Sequence, residues 1–139
     1  MSIKGVELIE HRGRAYAMVL RATATSDEKY NFLTGPESPL QLGVNFYASG
    51  DQVKAHYHLP RHLETNQIQE FLLIGEGRTT VTLFDADDHT PFTNFELGAG
   101  DMVLLLAGGH SLQMLEPTKV VEVKQGPYDG KAKDKVVFG

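Results

Sequence analysis

The chain contains no cysteine, which excludes disulfides, thiolate nucleophiles and Cys-ligated zinc or iron–sulfur centres. It has no long hydrophobic run either. The longest, Met102 to Ala107, is far too short to span a bilayer. Met1 to Glu7 hold no apolar stretch of the signal-peptide kind. There is no basic cluster among 13 basic and 18 acidic residues, and the formal charge is -5, so neither nucleic acid nor an anionic membrane is an expected partner. A cytoplasmic location is the expectation these absences leave. No linker, repeat or low-complexity stretch divides the 139 residues, which read as one domain over 1–139.

Helical spacing is never sustained over about twelve residues, so any helix is short. What the chain does have is a series of short runs rich in Val, Leu, Phe, Tyr and Thr, separated by Gly, Pro, Asn and Asp. These predict strands over Ala15 to Thr25, Leu42 to Ser49, Val53 to His58, Gln69 to Ile74, Thr79 to Asp85, Asn94 to Leu97, Met102 to Leu106, His110 to Leu115 and Val120 to Lys124. An N-terminal strand precedes them. Residues 27–40 read as an irregular loop, and the short tail ends in Val136-Val137-Phe138, suited to an edge strand or to docking on a partner. The fold class expected is all-β. Closing so many short strands into a barrel or double-sheet jelly roll would remove exposed edges.

Four side chains stand out. Strand side chains alternate faces, so His56 and His58 point the same way. Glu70 opens a later strand, and His110 follows a glycine pair forty residues after it. Three imidazoles and a carboxylate form a mixed N/O ligand set for a divalent transition metal. Five residues separate Gly50 from His56, six residues separate Glu70 from Gly77, and Gly100-Asp101 precedes Leu106-Ala107-Gly108-Gly109-His110. This order resembles the two motifs of the cupin superfamily, G-x5-H-x-H…E-x6-G and G-x5-P-x-G-x2-H, across roughly residues 43–115. The passages Gln69 to Gly77, Gly108 to His110 and Glu122 to Tyr128 are similar to a subgroup of small bacterial monocupins, some of them found among carbohydrate-biosynthesis proteins.

The chain departs from that pattern at two places. Eleven residues intervene between His58 and Glu70, which leaves Glu64 as a rival carboxylate. Leu106 replaces the motif's proline and His110 arrives one residue early, so the flexible Gly108-Gly109 pair is expected to supply the bend.

The resemblance implies a cupin-like jelly-roll barrel, commonly a homodimer, in which His56, His58, Glu70 and His110 bind one ion of Mn, Fe, Co, Ni or Zn. It implies a mononuclear metal enzyme acting on a small oxygen-rich molecule, a sugar derivative or a hydroxy or keto acid, by isomerisation or epimerisation, oxygenation or decarboxylation. A non-catalytic sugar or small-ligand binding module with a structural metal is the alternative. Arg61 and His62 are the candidates for orienting substrate or moving a proton. His11 and His89 read as surface residues, Gly100-Asp101 as a structural turn, and Phe46, Leu72, Ile74, Leu83 and Met114 as lining or core. Phe71 and Leu73 are expected on the outer, partner-facing side.

Overall fold

The structure, a computed structural model, describes residues 3–139. Met1 and Ser2, which begin the segment read above for a leader, lie outside them. Ten strands form antiparallel sheets: β1 Lys4–His11, β2 Arg14–Thr25, β3 Tyr30–Phe32, β4 Gly43–Asn45, β5 Glu70–Glu76, β6 Arg78–Phe84, β7 Pro91–Gly98, β8 Met102–Leu105, β9 Gly109–Met114 and β10 Lys119–Lys124, followed by one helical turn, α1 Lys131–Asp134. The protein is all-β, as its run-and-turn pattern predicts.

Two sheets carry the core. The larger has the order β1-β2-β8-β5-β10 and the smaller β7-β6-β9. Strand alternation splits the apolar side chains of the larger sheet between its two faces. Ala17, Val19, Leu72, Ile74, Val103 and Leu105 point inward, where they meet Val81, Leu83 and Leu97 of the smaller sheet. Met18, Leu20, Leu104 and Phe71 point outward, and are covered by Leu33, Leu40, Leu42 and Val44 of the β3–β4 hairpin and the loop it spans. Phe71 is therefore packed by its own chain and does not present the partner face expected of it. Each face needs a cover because burying a large aliphatic side chain contributes roughly 1.5–3 kcal/mol.

Gly77 joins the two sheets between β5 and β6. It has φ +89°, and a Cβ there would meet the backbone of Pro117 and Thr118, so glycine suits both its conformation and its close approach. On the flank beyond this joint the sandwich is open. β10 is outermost in the larger sheet and β9 outermost in the smaller, with only residues 115–118 between them in the chain. Among the described residues the sheets do not close into a barrel.

Several expected strands differ from this architecture. Of the run Leu42 to Ser49, only Gly43–Asn45 is strand; Phe46 donates its N–H to Lys29 O at 2.8 Å and joins neither core cluster. Val53 to His58 forms no strand. It belongs to an irregular segment between Asn45 and Glu70, in which every residue from Tyr47 to Ile68 is exposed. The tail adds no strand. Its Phe138 packs edge-on against Phe84 at 5.2 Å and stacks on His89 at 4.9 Å. Met114 lies on the inward side of β9, yet at 48% exposure it is not core.

Candidate functional site

β5 and β9 bring two of the four singled-out side chains together. In β5, Leu72 and Ile74 are buried in the inner core, so by parity Glu70 faces inward at the strand's start. In β9, His110 pairs with the buried Leu83 and shares its face with Leu112, which packs on the same core. The two meet across the gap between sheets, with Nε2 of His110 3.4 Å from Oε1 of Glu70.

The bend ahead of His110 comes from Gly108, as expected. Its φ is +69°, and a Cβ would run into the Tyr16 ring and stand 2.6 Å from the Phe84 carbonyl oxygen. Glu64 takes no part. It lies with Arg61 along a shallow surface groove against Glu37, Ser38 and Pro39.

Around the pair is a cleft of about 450 Å³. Leu105, Leu106, Ala107 and Leu112 supply apolar wall, and Arg14, Glu122, Lys124, Asp134 and Lys135 supply charge. Lys124 and Asp134 form an ion pair at 2.8 Å that ties β10 to α1. The Glu70 side chain is 17% exposed. The His110 ring at 3.4 Å holds the carboxyl below its ordinary range, outweighing the burial that pushes it up, and Lys124 and Lys135 add smaller attractions in the same direction.

His56 and His58 stand elsewhere, on the exposed segment, with ring centroids 5.4 Å apart. Neither lines the cleft, and neither do Arg61 and His62. Among the described residues no group of three or more His, Asp or Glu side chains is placed to hold a metal. As placed, then, the expected four-residue ligand set does not make one coordination sphere. The reason is local: residues 47–68 form no backbone ladder with either sheet, so no strand register turns His56 and His58 toward the cleft.

Lys124 and Glu122 lie on a strand the sequence predicts, but it is the antiparallel pairing of β10 with β5 that sets Lys124 opposite Glu70. Arg14 and Lys135 gave no signal, because each reaches the cleft only through tertiary packing. The Lys124 to Tyr128 stretch is anchored by Gln125, whose Oε1 accepts the Gln69 N–H at 2.9 Å. Gln125 Nε2 is buried without a partner among the described residues.

His11 corrects a reading. It is only 22% exposed, stacks on Phe92 at 3.9 Å and donates to the buried Asp85 at 3.0 Å, so it locks the β1–β2 turn to the β6–β7 turn. Asp101 behaves as the structural turn residue expected, accepting the N–H groups of Gly98 and Ala22, each at 2.8 Å. Comparison with known protein families, curated proteins and solved structures finds no match to this chain.

Proposed function

We propose that this protein binds one divalent transition-metal ion at the head of the cleft and acts there on a small oxygen-rich molecule, a sugar derivative or a hydroxy or keto acid. The observation that carries this reading is the meeting of Glu70 and His110. They are forty residues apart and come from different sheets, yet they point a carboxylate and an imidazole at one spot in a partly apolar cleft. A carboxylate with an imidazole nitrogen is a donor pair suited to Mn, Fe, Co, Ni or Zn.

Two features of the exposed segment support His56 and His58 as the remaining donors. The Nδ1–H of His56 donates to the Lys54 carbonyl at 2.7 Å, which leaves Nε2 with a free lone pair, the arrangement typical of a metal-binding histidine. Val53 to His58 also alternates apolar and polar residues as a strand does, and β9 and β10 are unpaired on the flank beside the cleft. Adding that run to the open flank would bring both imidazoles toward Glu70 and His110 and complete a cupin-like jelly roll. An ion held this way would act as a Lewis acid with positions open to substrate. The chain's own contribution is to orient donors and substrate and to exclude water with Leu105, Leu106 and Leu112.

The test is a calorimetric titration of metal-stripped protein with Zn(II) and Mn(II), alongside trypsin digestion at Lys54 and Arg61. The expected result is one ion per chain, slower cleavage at both sites when it is bound, and affinity lowered about 10–100-fold or more in His56→Ala and His110→Ala. No binding, or binding indifferent to His110→Ala, would overturn the reading.

A further inference from the structure

We infer that the Glu70–His110 cleft is a binding site for a small anion, a carboxylate or a phosphate ester, whose charged group is gripped by Arg14 and Lys135. The inference deepens the proposed function and rests on its assignment of this cleft as the ligand site, but it does not require an ion there.

Charge accounting within the cleft is the first argument. Glu70 is engaged by His110, and Asp134 by Lys124 at 2.8 Å. Arg14 and Lys135 form no ion pair among the described residues, and of the acids lining the cleft only Glu122 is likewise without one. Arg14 and Lys135 thus offer donors that no side-chain carboxylate takes up at ion-pair distance among the described residues. An anion entering the cleft would meet two side-chain donors that no carboxylate occupies.

Position is the second argument. Arg14 opens β2, so its backbone is set by pairing with His11 in the neighbouring strand. Lys135 is held from both sides: Asp134 before it is pinned to Lys124, and Phe138 after it is wedged between Phe84 and His89. Both cations are thus presented by anchored backbone. A guanidinium offers a planar fork to a carboxylate or phosphate, while an ammonium adds a compact point charge. Leu105, Leu106 and Leu112 supply an apolar wall for the ligand's uncharged part, while Arg14 and Lys135 are themselves exposed. A volume of about 450 Å³ suits a metabolite-sized ligand and no macromolecule.

The experiment titrates protein passed over a chelating resin with malonate, with inorganic phosphate and with uncharged malonamide, at constant ionic strength. Amide chemical shifts in ¹H–¹⁵N spectra are the readout. Saturable shifts centred on Arg14, His110 and Lys135 are expected with at least one anion, and the stronger of the two identifies the charged group preferred. Arg14→Gln and Lys135→Gln should each weaken that binding about tenfold while melting like the parent protein. Absence of saturation with both anions, equal binding of malonamide, or unchanged affinity in both variants would overturn the inference. Failure of this titration with zinc binding intact would leave the metal reading standing, and the reverse result would remove that reading alone.

Discussion

Gly108 determines where His110 stands. At φ +69° an L-side chain is strained, and the space a Cβ would need is taken by Tyr16 and the Phe84 carbonyl. Gly108→Ala is expected to cost about 2–4 kcal/mol in urea unfolding, with the His110 amide resonance displaced because the entry to β9 must move. Gly13, positive in φ but with open space at its Cβ, is the control: alanine there should cost less. That a bend was needed ahead of His110 was legible from the glycine pair. That its inflexibility comes from a tyrosine ninety-two residues earlier was not, since sequence order carries no trace of that contact.

The β6–β7 turn, Asp85 to Thr90, is an element tied down by carboxylates. Hydrogen bonds from the Thr90 hydroxyl and backbone N–H, at 2.6 and 2.9 Å, hold the Asp88 carboxyl down to about 2. The N–H groups of Asp87 and Asp88 hold Asp85 below its ordinary value in the same way. A carboxyl depressed on folding adds stability above its unfolded value and loses it as pH falls through its folded one. The melting temperature should therefore drop as pH falls from 3.8 toward about 2, and Asp88→Asn should flatten part of that drop. A melting curve against pH for both proteins checks it. The segment from Tyr47 to Ile68 is the opposite kind of element. Its Val53 to His58 stretch has strand alternation, yet no ladder forms, because alternation states which faces a strand would have and not whether an edge will pair with it.

At the scale of the whole molecule, stability comes from the contact between the two sheets. Leu83 lies at its centre, fully buried against side chains from both. Leu83→Ala should cost about 2–5 kcal/mol with the denaturant slope unchanged, enough to consume a large share of a typical domain's 5–15 kcal/mol. Urea unfolding followed by circular dichroism measures both quantities. The cleft follows from the same architecture. Glu70 at the start of β5 and His110 near the start of β9 are inward residues at strand ends, and they meet there.

The sequence by itself determined the all-β class, most strand positions and the inner-core identities of Leu72, Ile74 and Leu83, because period-two alternation and turn residues act locally. It also singled out Glu70 and His110, though not their contact. Tertiary structure alone decided that these two share a cleft while His56 and His58 stand off it, that Phe71 is covered by its own chain, and that Arg14 and Lys135 face the same space. Each of those outcomes depends on which sheet packs on which and where an edge is left open, and such long-range pairing leaves no periodic mark along the chain.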